Sequence, residues 1–294
     1  MKLGFIGLGV MGRPMALNLM KHGHEMGVYG RREATLAPLL DAGARRYDTP
    51  AALAGACDVL FTMVTASHDV EAIALGTDGV IHGARRGMVL IDMETIAPAV
   101  ARDVAAALAE RGIDMLDAPV SGGPGGAQQA TLSIMVGGKA DVYQRMLPLF
   151  QALGKTVIHM GGHGAGQTTK ACNQLALLVN AMGTAEAMLL AARSGLDPAK
   201  VREVLLGGVA SSRVLELFGK RMVERDFAAG IEARLYYKDL HIALDLVHEL
   251  GIATPAAAVV MQHVNAVIGR GEGGSDLSAL LKVLEDLAGS PGKA

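Results

Sequence analysis

GLGVMGRPMALNLMKHGH, Gly7 to His24, decides how the rest of the chain is read. It opens as G-x-G-x-x-G. The short apolar run Leu3–Ile6 precedes it, and the helical pattern Met11–Lys21 follows. A strand, a glycine turn and a helix in that order are the first unit of a dinucleotide-binding βαβ fold. Gly7 allows the tight turn, Gly9 lets the backbone approach a pyrophosphate, and Gly12 permits close packing of helix on strand. The phosphates then meet free N–H groups at the positive end of the helix. Gly7, Leu8, Gly9, Val10, Met11 and Gly12 are therefore the residues expected to lie against a cofactor.

Working outward, the next strand, Met26–Tyr29, ends in YGRR. An NAD site would place Asp or Glu here for the ribose hydroxyls. This chain has Gly30, then Arg31 and Arg32, whose guanidinium groups can fork onto a 2′-phosphate. NADP is the cofactor expected, with NAD possible; Glu33 beside the arginines could itself reach a ribose. Strand and helix patterns then alternate: Thr35–Ala42 helical, Val59–Val64 and Val89–Asp92 strands, Val100–Arg111 helical, Met115–Pro119 a strand. Alternation with short connections means a parallel sheet covered on both faces. Thr131–Val136 and Thr156–His159 read as further strands at its edge. After Gly166 the spacing is helical throughout, starting with the long apolar stretch Thr168–Ser194.

The fold class expected is α/β: a Rossmann-type doubly wound parallel sheet over residues 1–162, then an all-α domain over residues 163–294 built on a long central helix. That helix is expected to be partly covered in a homodimer or homotetramer. Across 294 residues, 51% are hydrophobic and 19% charged, with a net charge of −2. This allows a sizeable core and shows no basic stripe, so nucleic acid and membrane are not expected as partners. Cys57 and Cys172 lack metal-ligand spacing, and the nine histidines form no constellation with carboxylates. No metal is expected, and reduced thiols suggest the cytoplasm.

Four motifs occur in order: GLGVMGRPMALNLMKHGH, DAPVSGGPGGAQQATLSIMVGG (Asp117–Gly138), GAGQTTKACNQ (Gly164–Gln174) and YYKDLHIALD (Tyr236–Asp245). With them the chain resembles, over essentially its whole length, the β-hydroxyacid dehydrogenase family, which includes 3-hydroxyisobutyrate dehydrogenase. The resemblance implies that the Ser121–Gly122–Gly123 loop holds a substrate carboxylate. A hydroxyl and backbone N–H groups without a Cβ in the way suit that task. Where the family repeats a glycine this chain has Ala130, costly if the position needs positive φ.

Lys170 falls on the family's catalytic lysine, a proton relay to the substrate oxygen. Lys170, Asn173 and Gln174 are spaced i, i+3, i+4 and share a helix face. A lysine ordinarily titrates near 10.4, so burial, a helix N-terminus and a second cation, Lys238, are expected to lower it. Asn173 and Gln174 are read as substrate-binding, Gln174 standing where many relatives carry a second Asn. Met63, Val64 and Thr65 at one strand end, and Thr95 at the next, are placed beside the cofactor. Lys238 and Asp239 are expected to close over substrate and cofactor.

The implied reaction is NADP(H)-dependent reduction of a small carboxylate-bearing aldehyde. Tartronate semialdehyde to glycerate is favoured by the arginines, Gln174 and the RDFAAG…YYKDL spacing. 3-Hydroxyisobutyrate and succinic semialdehyde fit the same pocket chemistry. A non-catalytic binder or an imine reductase would tend to lack the lysine.

Overall fold

The structure, a computed structural model, describes residues 1–289. It divides into two compact units, one ending at Lys170 and one beginning at Ala171.

In the first unit the chain runs β1 (Lys2–Ile6), α1 (Gly12–Lys21), β2 (Glu25–Tyr29), α2 (Glu33–Asp41), β3 (Arg45–Arg46), α3 (Pro50–Ala56) and β4 (Val59–Thr62). It continues α4 (Ser67–Leu75), α5 (Val80–Gly83), β5 (Val89–Asp92), α6 (Pro98–Glu110) and β6 (Asp114–Asp117). Then come β7 (Val120–Ser121), α7 (Gly123–Gln129), β8 (Leu132–Gly138), α8 (Ala140–Gln151) and β9 (Gly154–Gly161). The sheet order is β3-β2-β1-β4-β5-β6-β8-β7, with β9 on β8, and β1 to β6 are mutually parallel.

Both faces of this sheet are buried, which is why its strands read as continuous apolar runs. Leu3, Phe5, Val59, Phe61, Val89 and Ile91 point to one core, with Met15, Leu36 and Phe150. Ile6, Leu60 and Leu90 point to the other, with Leu53, Val80 and Leu108. The strand order reverses between β1 and β4. Open α/β sheets bind ligands outside the carboxyl ends of their strands at such a point.

Two parts depart from the sequence reading. The sheet is not parallel to its end: β8 runs antiparallel to both β6 and β7, with Leu116 opposite Gly138 and Val120 opposite Ile134. A short connection can return a chain only to an antiparallel partner. The glycine run also does not form an open loop. β7 closes at Ser121, and Gly123–Gln129 winds into α7 in spite of three glycines and a proline. Packing overrides propensity here: Ala127 is buried, and Asn18 Nδ2 of α1 donates to the Ala127 carbonyl at 2.9 Å. The chain leaves α7 through Ala130, left-handed at φ 54°. A Cβ in that conformation costs about 1 kcal/mol, which a glycine at this position avoids.

α9 (Ala165–Arg193) begins in the first unit and runs on into the second. The second unit continues with α10 (Pro198–Leu206), α11 (Arg213–Glu224), α12 (Ala233–Glu249), α13 (Pro255–Gly269), a 3₁₀ turn at Leu277–Ala279 and α14 (Leu280–Leu287). Its core gathers Leu178, Ala181, Ala185 and Met188 of α9 against Leu215, Tyr236, Leu240, Val260, Val264 and Leu280. By length and composition α9 could cross a membrane, but its buried face belongs to this protein core.

Candidate active site

The turn after β1 is shaped by close backbone approaches at two of its glycines and by open space at the third. Gly7 has φ +92°, and a Cβ there would stand 2.1 Å from the Met63 carbonyl oxygen. A Cβ on Gly12 would stand 2.0 Å from the Gly7 carbonyl oxygen. Both glycines are thus fixed by close approach of backbone to backbone. Gly9 is different: a Cβ there would meet nothing within 4 Å, so open space lies over its backbone. That bare, open position fits a pyrophosphate. Leu8 anchors the turn in the core, whereas Val10 stands out at 59% exposure beside half-buried Met11.

The neighbouring strand ends assemble around this turn. Met63 N–H donates to the Ile6 carbonyl at 2.9 Å, so Met63, Val64 and Thr65 follow β4 directly beside Gly7. Arg31 and Arg32 are exposed past the end of β2, with Arg32 at the N-cap of α2. Glu33 is also exposed and faces Arg46 at 3.9 Å. Thr95 is buried beyond the end of β5.

Ser121 is half-buried at the end of β7, and Gly122 and Gly123 follow at φ +133° and +62°. Ser121 directly follows the residue that anchors Lys170. Lys170 is 7% exposed, and its Nζ donates to the Val120 carbonyl at 2.8 Å. The serine and the ammonium are therefore held by adjacent residues of one strand.

In the second unit, Asn173 Nδ2 donates to Gln174 Oε1 at 2.7 Å, and Gln174 Nε2 donates to Asp239 Oδ2 at 2.6 Å. Lys238 Nζ lies 3.2 Å from Asp239 Oδ1. Gln174 is 2% exposed with both ends of its amide engaged, so it acts as a strut joining α9 to α12. Among the described residues no group of three or more His, Cys, Asp or Glu side chains is arranged to hold a metal.

Three buried polar residues escaped the sequence reading. Asp92, at the end of β5, accepts from Thr62 Oγ1 at 2.7 Å, and its other oxygen is buried without a hydrogen-bond partner among the described residues. Burial pushes its carboxyl up to about 8, against the hydrogen bond from Thr62. Asp117, at the end of β6, accepts from the backbone N–H groups of Gly164 at 2.8 Å and Gln167 at 3.0 Å. Burial raises its carboxyl too, opposed by those two donors. The third, Gln167, is tied to the segment around Thr95. DAPVSGG and GAGQTTK contain Asp117 and Gln167, but their partners lie far away in the sequence.

Comparison with known proteins gives this architecture a family. Residues 2–162 match the NAD binding domain of 6-phosphogluconate dehydrogenase, and residues 164–284 match the NAD-binding domain of NADP-dependent 3-hydroxyisobutyrate dehydrogenase. The 2-hydroxy-3-oxopropionate reductase of Escherichia coli K12 is 42% identical over 292 residues, covering 98% of each chain. A 3-hydroxyisobutyrate dehydrogenase structure from Salmonella typhimurium superposes with a TM-score of 0.88 at 30% identity, covering 96% of this chain and 99% of the other. A structure of Psf3 in complex with NADP+ and 2-OPP gives a TM-score of 0.89 at 27% identity, covering 96% and 99%. The chain belongs to the 3-hydroxyisobutyrate dehydrogenase-like family of β-hydroxyacid dehydrogenases. It is an NAD(P)-binding oxidoreductase, and its family acts on small hydroxy and oxo acids.

Proposed function

We propose that the protein is an NADP(H)-dependent reductase of a short 3-oxo acid, converting tartronate semialdehyde to glycerate. The observation that carries the chemistry is the buried Lys170 ammonium, hung from the Val120 carbonyl next to Ser121. Ser121 and the N–H groups of Gly122 and Gly123 grip the substrate carboxylate. Lys170 gives a proton to the carbonyl oxygen during reduction and takes the hydroxyl proton in the reverse direction. Asn173 orients the substrate, braced by Gln174 and Asp239, while Lys238 contributes a second cation. A bound nicotinamide supplies the hydride. Gly7–Gly12 hold its pyrophosphate, Met63–Thr65 and Thr95 line its ribose side, and Arg31 and Arg32 reach the 2′-phosphate.

The substrate reading is supported by the 42% identity to 2-hydroxy-3-oxopropionate reductase. The cofactor reading is supported by two exposed arginines where a ribose-binding acid would otherwise stand. One experiment tests both: oxidation of NADPH and NADH with tartronate, succinic and methylmalonate semialdehydes, wild type beside Arg31→Ala/Arg32→Ala. Tartronate semialdehyde is expected to give the highest kcat/KM. The double variant is expected to weaken NADPH by roughly 10–100-fold, the loss of one or two charge-assisted contacts, and NADH by less than about 3-fold. Equal loss with both cofactors overturns the arginine assignment; a higher kcat/KM for another semialdehyde overturns the substrate.

We further propose a cytoplasmic homodimer or homotetramer. Leu175, Val179, Pro255 and Ala256 line an apolar groove between α9 and α13, with exposed Ile252 and Val259 beside it. A second copy of the chain removes that surface from water. Light scattering that reads a monomer across micromolar concentrations overturns this.

A further inference from the structure

Lys170 and Thr95 come from segments far apart in the chain, and one buried side chain ties those segments together. Gln167 is 1% exposed. Its Oε1 accepts from the Ile96 N–H at 3.1 Å, and its Nε2 donates to the Glu94 carbonyl at 2.7 Å. These two groups lie on either side of Thr95, so the amide brackets that residue front and back. Gln167 is itself fixed by its own N–H, which donates to Asp117 Oδ2 at 3.0 Å. Asp117 Oδ1 takes the Gly164 N–H at 2.8 Å, capping the first turn of α9. Next to Gln167, Gly166 lets this turn press on the strands. A Cβ there would stand 2.4 Å from the Met135 carbonyl oxygen and 2.5 Å from that of Asp117. Lys170 follows Gln167 by three residues, on the same side of the helix.

We infer that Gln167 is a positioning residue: its amide clamps the Glu94–Ile96 backbone to the turn of α9 that carries Lys170. The separation between the cofactor-side contact at Thr95 and the proton-relaying amine is thereby fixed. An amide is suited to this because it offers one acceptor and two donors on a short, planar group. The inference rests on the roles proposed above for Lys170 and Thr95.

The test is a double-mutant cycle on the full chain, reading kcat, KM for the oxo acid and NADPH affinity by fluorescence. Gln167→Leu is expected to lower kcat by about 10–100-fold, the scale of a misplacement near 1 Å, with KM and NADPH affinity within about 3-fold. In a Lys170→Ala background Gln167→Leu is expected to cost less than about 2-fold, because the group it positions is gone. Equal losses in both backgrounds mark a merely structural role and overturn the inference while leaving Lys170 in place. Full turnover in Lys170→Ala alone overturns the lysine reading and this inference with it.

Gln167→Glu covers the case where leucine prevents folding. A neutral carboxylic acid again offers a donor and an acceptor, whereas a carboxylate faces the Glu94 carbonyl with repulsion. Its kcat relative to wild type is expected to rise as pH falls. A ratio that stays flat with pH overturns the clamp.

Discussion

Under the proposed proton relay, Lys170→Ala is expected to lower turnover by roughly 10²–10⁴-fold, the range a single positioned acid–base group supplies. Dinucleotide affinity is expected to stay within about 3-fold of wild type, because the close contacts that shape the turn at Gly7 and Gly12 are made with the backbone of Met63, Val64 and Gly7 and with the Phe5 ring. The lysine is 7% exposed and donates to the Val120 carbonyl. Alanine therefore also leaves a largely buried acceptor without that donor, at a cost of about 1–3 kcal/mol. A thermal melt run beside the kinetics separates the two effects. Lys170→Met, which keeps most of the packing volume, must lose turnover to the same degree. Near-full turnover in a folded Lys170→Ala protein removes the proton relay and leaves only the nucleotide-binding half of the function.

The second large effect concerns pH and stability at Asp92. Its carboxyl is fully buried, with one oxygen receiving Thr62 and the other without a partner among the described residues. Burial raises its folded-state pKa from 3.8 to about 8, helped by the charges of Glu94 and Asp117. The folded state thus favours the protonated acid. That preference contributes fully below 3.8, where the unfolded chain also binds the proton, and is lost step by step as pH rises towards 8. Across that window wild type forfeits a few kcal/mol, since each tenfold change in proton affinity is worth about 1.4 kcal/mol. Asp92→Asn keeps an acceptor for Thr62 and cannot ionise. Its melting temperature relative to wild type is expected to climb steadily between about pH 5 and pH 8. A constant offset over that range would show that Asp92 ionises as easily folded as unfolded.

Much of this molecule is legible in the residue string. Gly7, Gly9 and Gly12 can be read because their spacing after a strand and before a helix is itself a motif, although the Met63 backbone that bars a side chain at Gly7 lies far along the chain. The long helix is legible from its apolar spacing, and the parallel strands from their unbroken apolar runs. α7 is not legible, because GPGGAQQ has the composition of a loop and becomes helical only against Asn18 and a buried Ala127. The reversal of β8 is set by that compact connection rather than by the strand's own pattern. Within the site, the glycine and lysine motifs stand out as motifs. Asp92, Asp117 and Gln167 do not, since a polar residue in an apolar stretch does not announce which distant backbone group will satisfy it. Gln174 shows the same limit: its spacing put it on the face of Lys170, but its amide is consumed by Asn173 and Asp239.

The first turn of α9 has a kinetic consequence. Gln167 draws its partners from 71 and 73 positions earlier in the chain, and Asp117 stands 50 positions before it. Contacts of that sequence separation close late, after the entropy of long loops has been overcome. The amine is thus set in place only once β5 and β6 already lie side by side. The glycine turn makes a similar demand, since Gly7 is pressed against the Met63 backbone at the end of β4, so a partly unravelled chain holds neither that turn nor the segment carrying Lys170 in its native arrangement.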